Sequence, residues 1–214
     1  MSKAIFLDRD GVVNELVYHQ DIGIIDSPFT VDQFKLCAGA SGGIRQFREM
    51  GYKVVLISNQ PGIAKGHMSA ETFEKIRFRM KQALSRGGVS LDADYYCFHH
   101  PEAKLESYRA TCECRKPEPG LLLRAAREMG LDLSRSWMIG DGITDIRAGK
   151  LAGARTMMIG KVKCELCRLM AEADARPDAV CSGLVEAARV IGLEEQYPIA
   201  SLVRREQSIT GCHP

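Results

Sequence analysis

Residues 4–12 read Ala-Ile-Phe-Leu-Asp-Arg-Asp-Gly-Val, an apolar run that ends in two carboxylates and a glycine. Carboxylates as close in sequence as Asp8 and Asp10 repel each other unless a cation lies near them. In an open α/β sheet, ligands bind at the carboxyl ends of the strands. The pair therefore predicts a metal-assisted catalytic site, although a solvated turn with two acidic residues would give the same short pattern.

The rest of the chain predicts an alternating α/β fold in a single domain. Helical spacing of apolar residues separates short β-branched or aromatic runs, which indicates a mainly parallel sheet flanked by helices. The predicted strands cover residues 4–7, 53–57, 93–98, 137–139, 156–159 and 179–180. Helices are predicted to begin at Ala40, at Pro117 and at Leu184, the last of them ending at Ile191. Two more are predicted, one after Ser69, which is its expected N-cap, and one from the region after Asp141 to Ala152. We expect one domain over residues 1–192, with a polar tail of uncertain structure over residues 193–214.

Composition excludes several classes of partner. The 214 residues carry 29 basic and 27 acidic side chains, a net charge of +2, without a basic run that would suggest a nucleic-acid partner. No apolar stretch is long enough to span a bilayer, and the N-terminus shows no secretory leader. We expect a cytoplasmic monomer with no membrane partner. In that compartment the eight cysteines indicate metal ligands or buried apolar residues, not disulfides.

Residues 14–37 form a predicted loop that leaves the first strand beside the two aspartates. Gly23, Asp26, Ser27 and Pro28 interrupt any regular pattern in it. Connections of this length are uncommon unless they bind a ligand, so we interpret the segment as a binding loop, with a disordered insertion as the alternative.

Polar side chains collect at the ends of the other predicted strands. Ser58 and Asn59 follow the second strand, and Asp141 follows the fourth, with Asp145 one helical turn later. Carboxylates that leave coordination positions open favour Mg²⁺. A lysine and a serine beside that metal suit a phosphoryl group, and an aspartate can attack it to form an aspartyl-phosphate. The sequence lacks a glycine-rich P-loop, so nucleotide hydrolysis of that type is not expected.

A second constellation predicts a structural metal site in a loop over residues 97–114. Cys97 and His99 are followed, after twelve residues, by Cys112 and Cys114. Three thiolates and an imidazole complete a tetrahedral zinc site, although another thiophilic metal would suit the same ligands. The alternative is three buried cysteines and a surface histidine. A metal there would fix the loop and place Arg115 and Lys116 at the catalytic site. By contrast, Cys164 and Cys167 have no partner ligands, so we interpret them as incidental, not as a redox or metal pair.

These motifs, in order and spacing, resemble those of the haloacid dehalogenase (HAD) superfamily of phosphatases. The resemblance rests on residues 8–12, Ser58, Lys116, Gly140-Asp141 and Asp145, and it implies a Rossmann-like HAD fold. The pieces between the motifs are too short for a large cap domain. The resemblance implies that Asp8 is the nucleophile, Asp10 the general acid and base, and Ser58 and Lys116 the groups that stabilise the transferring phosphoryl group. It also implies Mg²⁺ ligands from Asp8, the main-chain carbonyl of Asp10, and Asp141, with Asp145 in support.

Three stretches narrow the resemblance to a zinc-loop subgroup. Residues 58–66, 96–101 and 112–117 are similar to those of the heptose 1,7-bisphosphate phosphatases and the histidinol phosphatases. This similarity implies substrate contacts from Asn59, Gln60 and Arg115. We expect a small phosphorylated sugar as substrate, most like a heptose 1,7-bisphosphate. Histidinol phosphate or another small phosphomonoester is the alternative, and a zinc-stabilised binding module is the non-enzymatic one. Two positions depart from the heptose enzymes: the segment after Asn14 lacks their glycine-tyrosine pair, and Gly142 replaces a basic residue.

Overall fold

The computed structural model describes residues 1–160 and 173–197. The elements within these ranges alternate as predicted. In chain order they are β1 (Ala4–Leu7), β2 (Val17–His19), β3 (Ile24–Asp26), α1 (Ala40–Glu49), β4 (Lys53–Asn59), α2 (Ala70–Arg86), β5 (Ala93–Cys97), α3 (Gly120–Met129), β6 (Trp137–Gly140), α4 (Ile143–Leu151), β7 (Arg155–Ile159), β8 (Ala179–Cys181) and α5 (Leu184–Gln196).

Six parallel strands form one sheet in the order β5-β4-β1-β6-β7-β8. The last residue of β1, Leu7, is in register with Leu56 of β4 and Ile139 of β6. Strands in this register end at the same edge of the sheet. The residues that follow β1, β4 and β6 therefore meet there, which confirms the predicted α/β architecture.

Alternate residues of the buried strands pack on opposite faces of the sheet. Ile5 and Leu7 belong to the larger core cluster, together with apolar residues of α1, α2 and α5. Ala4 and Phe6 belong to a second cluster with apolar residues of α3 and α4. The result is a three-layer sandwich, and the described residues form no cap domain over the carboxyl edge of the sheet.

The prediction that residues 14–37 form a loop was wrong in one respect, because the segment contains a small antiparallel hairpin. Strands β2 and β3 pair Val17 with Asp26 and His19 with Ile24. An aromatic stack holds the hairpin to the loop after β4: Phe29 lies between His19 and His67, with ring centroids 3.8 and 4.7 Å away. The sequence did not reveal these strands, because they are short and the position of the hairpin depends on the aromatic stack.

Two predicted helix ends also differ. Helix α3 begins at Gly120, not at Pro117, because residues 113–120 form a turn in which the Gly120 N–H donates to the Glu113 carbonyl at 2.9 Å. Helix α5 continues past Ile191 to Gln196, since Glu195 accepts a hydrogen bond from the Tyr52 hydroxyl at 2.7 Å. The predicted N-cap is confirmed: Ser69 accepts from the Thr72 N–H at 3.0 Å.

Some sequence-based expectations lie outside the described residues. Cys164 and Cys167 are among them, as is the tail after residue 197. Within the described part of the chain, no helix is both long and apolar enough to cross a membrane.

Candidate active site and metal centres

The turn that follows β1 brings Asp8 against Asp141. The Asp8 N–H donates to the Ile139 carbonyl at 3.0 Å, and the Arg9 N–H donates to Asp8 Oδ1 at 2.7 Å. Gly11 takes a left-handed conformation at φ 80°, and a Cβ at this position would lie 2.2 Å from Asp141 Oδ2. A glycine is therefore required at position 11 for two reasons, the left-handed turn and the close approach of Asp141.

Three carboxylates converge at this edge of the sheet. Asp8, Asp141 and Asp145 each offer an oxygen within 4.8 Å of the others. Burial and the neighbouring Asp145 and Asp10 carboxylates raise the pKa of Asp8 to about 6, against the opposing effect of Lys116. Burial, and then Asp8 and Asp145, raise the pKa of Asp141 to about 7. These carboxylates carry more negative charge than Lys116 balances, and hard oxygen donors of this kind fit Mg²⁺.

Lys116 is the cation at the centre of this cluster. Its side chain is 2% exposed, and Nζ lies 2.8 Å from Asp8 Oδ1 and 2.5 Å from Asp145 Oδ1. Nζ also donates to the Ile57 carbonyl at 2.9 Å. Burial disfavours its charged form, but the carboxylates of Asp145 and Asp8 raise the pKa of Lys116 above its usual value. The ammonium therefore stays charged beside the predicted nucleophile.

Asn59 and Asp145 fix the position of Lys116. The Asn59 amide donates to the Lys116 carbonyl at 2.9 Å and accepts from the Lys116 N–H at 3.0 Å. Asn59 was predicted to contact the substrate. Both the oxygen and the nitrogen of its side-chain amide are instead bonded to the Lys116 backbone. Asp145 also accepts from the Gly142 N–H at 3.0 Å, which caps α4. Its predicted supporting role agrees with this placement.

The Asp10 carboxylate points to a different set of partners. Arg9 Nε lies 3.2 Å from each Asp10 oxygen, and Asn14 Nδ2 donates to Oδ1 at 2.9 Å. Gln60 Nε2 donates to Oδ2 at 2.6 Å and to Ser58 Oγ at 2.9 Å. The structure therefore joins the predicted acid and base to the predicted phosphoryl-binding serine. The sequence did not assign a role to Arg9 or Asn14, although Arg9 directly precedes Asp10 and Asn14 follows it by four residues.

The four predicted zinc ligands also come together. Their Sγ–Sγ distances are 3.5 Å for Cys97–Cys112, 3.0 Å for Cys112–Cys114 and 3.2 Å for Cys114–Cys97. His99 Nδ1 lies 3.5 Å from Cys114 Sγ and 3.9 Å from Cys97 Sγ. A tetrahedral zinc ion with Zn–S bonds of about 2.3 Å holds its sulfurs about 3.8 Å apart. The three sulfurs here lie closer together than that, so they need to move apart by less than about 1 Å to bind the ion. The donor set and the spacing both fit a structural zinc ion.

The metal loop leads directly into the catalytic residues. Cys114 precedes Arg115 and Lys116, and the Arg115 guanidinium donates to the His99 carbonyl at 3.2 Å. A cavity of about 230 Å³ lies beside the metal loop. Its lining includes Arg115 and Lys116, together with Pro101, Ala110, Thr111, Cys112, Pro117 and Glu118. This placement suits the predicted substrate contact of Arg115.

Comparison with known proteins agrees with this geometry. Residues 113–187 match the HAD-hydrolase-like family model. The chain is 38% identical over 191 residues to the D-glycero-beta-D-manno-heptose-1,7-bisphosphate 7-phosphatase of Haemophilus influenzae. The aligned residues cover 89% of this chain and 97% of that protein. The enzyme of the same name from Yersinia pestis is 37% identical over 188 residues, which are 88% of this chain and 94% of that one.

Solved structures point the same way. The D,D-heptose 1,7-bisphosphate phosphatase from B. bronchiseptica, crystallised with magnesium and phosphate, superposes with a TM-score of 0.73 at 29% identity, over 90% of this chain and 99% of that chain. The D,D-heptose 1,7-bisphosphate phosphatase from Burkholderia thailandensis has a TM-score of 0.58 at 21% identity, which supports the fold. With the site geometry and the curated relatives taken together, this chain belongs to the HAD-like phosphatase family that contains the D-glycero-beta-D-manno-heptose-1,7-bisphosphate 7-phosphatases.

Proposed function

We propose that the protein removes the 7-phosphate of D-glycero-beta-D-manno-heptose 1,7-bisphosphate with the help of Mg²⁺. The observation that carries this proposal is the buried cluster in which Lys116 lies between Asp8 and Asp145, with Asp141 beside them. The named activity of the curated relatives supports the choice of substrate. The absence of a cap domain from the described residues leaves an open edge that suits a small sugar phosphate.

Asp8 acts as the nucleophile. Lys116 Nζ and the Arg9 N–H both contact Oδ1, so Oδ2 is the oxygen available for attack. Attack forms the Asp8 O–P bond and breaks the P–O bond to the sugar, whose oxygen takes a proton from Asp10. Water then attacks phosphorus of the aspartyl-phosphate and gives a proton to Asp10. Inorganic phosphate leaves, and the Asp8 carboxylate is restored.

Charge on the transferring phosphoryl group is balanced by residues from three strand ends and the metal loop. Lys116 offers its ammonium, and the buried Ser58 offers its hydroxyl, next to Gln60. Mg²⁺, held by Asp8, Asp141 and the main-chain carbonyl of Asp10, would supply positive charge opposite the phosphoryl oxygens. Groups fixed before the reaction begins stabilise the developing charge without reorganisation.

Zinc would act as a structural ion in this scheme. Cys97, His99, Cys112 and Cys114 fill all four tetrahedral positions, so no position is left for substrate. Its purpose would be to hold residues 97–114 so that Arg115 and Lys116 reach the site. That the protein works as a cytoplasmic monomer stays a prediction from the sequence.

The substrate is tested by kcat/KM for phosphate release from both anomers of heptose 1,7-bisphosphate and from histidinol phosphate, with Mg²⁺ present. We expect the β-anomer to be preferred by about two orders of magnitude, which corresponds to about 2.7 kcal/mol of transition-state discrimination. Asp10→Asn, which removes the proton donor, serves as the control. Equal and poor rates on all three compounds would reject heptose bisphosphate as the substrate, and a preference for histidinol phosphate would replace it.

A further inference from the structure

The carboxylate of Asp10 is surrounded by hydrogen-bond donors from Arg9, Asn14 and Gln60. Asn14 Nδ2 and Gln60 Nε2 donate to it at 2.9 and 2.6 Å, and the Arg9 guanidinium approaches both its oxygens. Arg9 and Asn14 are fully buried, and Gln60 is 1% exposed. A carboxylate with this many charge-assisted bonds keeps one orientation until a donor is removed.

Arg9 forms a buried ion pair with Asp10. A fully buried guanidinium is costly unless it is paired, and Asp10 is its acidic partner, with Nη2 at 3.1 Å from Oδ1. The other terminal nitrogen, Nη1, has no hydrogen-bond partner within residues 1–160 and 173–197. Among the described residues Asp10 is the acidic side chain with which Arg9 pairs, so the guanidinium and the Asp10 carboxylate hold each other in place.

Gln60 connects this cage to the phosphoryl site. One nitrogen, Nε2, lies 2.6 Å from Asp10 Oδ2 and 2.9 Å from Ser58 Oγ. With Asp10 ionised this amide orientation is the favourable one, because the opposite orientation would point Oε1 at the carboxylate. The Gln60 backbone is itself fixed, because its N–H donates to the Cys97 carbonyl at 2.7 Å. Movement of the Ser58 hydroxyl toward a phosphoryl oxygen therefore changes the bonding of the amide that holds Asp10.

We propose that Gln60 is a positioning residue that aims the Asp10 carboxyl at the leaving oxygen and couples this aim to phosphate binding at Ser58. This inference rests on the proposed phosphatase function, and it assigns Gln60 a role other than the sugar contact expected from the sequence. The step concerned is the one in which the P–O ester bond breaks and the Asp10 proton moves to the departing oxygen.

Esters whose leaving groups differ in basicity can distinguish a role in positioning Asp10 from a structural or sugar-binding role. A weakly basic leaving group such as p-nitrophenolate departs without a proton, whereas an alkoxide needs one. Benzyl phosphate and p-nitrophenyl phosphate are similar in size, and neither carries sugar hydroxyls. Their kcat/KM values cover only the steps through release of the alcohol or phenol, so hydrolysis of the aspartyl-phosphate does not enter.

The test is Gln60→Met, measured with both esters and Mg²⁺. We expect the ratio of kcat/KM for benzyl phosphate to that for p-nitrophenyl phosphate to fall about tenfold or more, since a well-placed acid contributes about 10²- to 10⁴-fold. Asp10→Asn should lower the same ratio further. Ser58→Ala should lower both values, because it acts on the phosphoryl group common to the two esters. It should also lower the ratio, by less than Gln60→Met, because Gln60 loses its Ser58 partner but keeps its bond to Asp10.

Two outcomes separate failure of this inference from failure of the proposed function. An unchanged ratio in Gln60→Met, with a lowered ratio in Asp10→Asn, would overturn the role of Gln60 alone. If the wild-type protein hydrolysed neither ester in the presence of Mg²⁺, the proposed phosphatase function itself would be overturned. Methionine has a similar volume and removes the buried Oε1, which has no partner among the described residues, so we expect the variant to fold. Gln60→Asn, which withdraws the amide by one methylene, should lower the ratio in the same direction.

Discussion

Replacement of Lys116 with methionine should destabilise the protein by about 3–5 kcal/mol when no divalent cation is present. The side chain is 2% exposed and contacts Asp8 at 2.8 Å and Asp145 at 2.5 Å. Methionine refills most of the volume, so the loss is electrostatic: two buried carboxylates are left without their cation. The Ile57 carbonyl also loses the donor that lies 2.9 Å away.

The size of this loss should depend on pH. Burial already raises the pKa of Asp8 from 3.8 to about 6, and Lys116 is the nearby cation that opposes the rise. Without Lys116, the folded-state pKa moves further above the unfolded value. A carboxyl with a raised pKa stabilises the folded state fully below its unfolded pKa, and this contribution is lost as the pH rises through the folded pKa. The penalty in Lys116→Met should therefore be larger at about pH 8 than at about pH 5.

Urea unfolding monitored by circular dichroism measures the effect in EDTA at both pH values. Addition of Mg²⁺ should recover part of the lost stability at the higher pH, since the ion compensates the same carboxylates. Lys75→Met is the matched control, because Lys75 is exposed and pairs with Glu71 on the surface of α2, where less than about 0.5 kcal/mol is expected. A loss below about 1 kcal/mol, or an equal loss at both pH values, would refute the charge balance proposed for the site.

Three further substitutions test other parts of the structure. Cys114→Ser should abolish stoichiometric zinc in metal analysis and lower kcat/KM, because Lys116 follows directly; retained zinc with normal activity would contradict the loop's role. Asp94→Asn should cost about 2 kcal/mol in urea unfolding at neutral pH. Burial opposes ionisation of Asp94, but hydrogen bonds from Arg77 lower its pKa to about 2, so the cost should vanish as the pH falls from about 4 toward 2; a pH-independent cost would contradict this. Gly11→Ala should weaken Mg²⁺ binding in calorimetry, since the new Cβ would meet the Asp141 carboxylate, and an unchanged Kd would argue against Asp141 as a ligand.

The parts of this site that the sequence predicts are those carried by the sheet. Runs such as residues 53–57 are β-branched and continuous, which indicates buried parallel strands. Parallel strands end at a common edge, so Asp8, Ser58 and Asp141 meet for topological reasons alone. The ligand spacing around Cys97 and Cys112 is likewise local information, and the structure brings those thiols together.

The rest depends on contacts between residues distant in sequence. Nothing local indicates that the Asp10 carboxylate turns toward Gln60, fifty positions away, or that the Asn59 amide brackets the Lys116 peptide. Hairpin β2–β3 was missed for a related reason: its position depends on the stack of Phe29 with His19 and His67, not on strand propensity. Side-chain direction at a polar site is set by its partners, and these are known only once the fold is known.

Rapid acid quenching can trap the covalent intermediate that forms if Asp8 is the nucleophile. Wild-type protein mixed with Mg²⁺ and heptose 1,7-bisphosphate should be stopped with acid within the first turnover, digested and analysed by mass spectrometry. We expect a peptide that carries one phosphoryl group on Asp8, and we expect no such peptide from Asp8→Asn. A burst of heptose monophosphate with no phosphorylated peptide, or with the phosphoryl group on Asp10, would show that Asp8 is not the nucleophile.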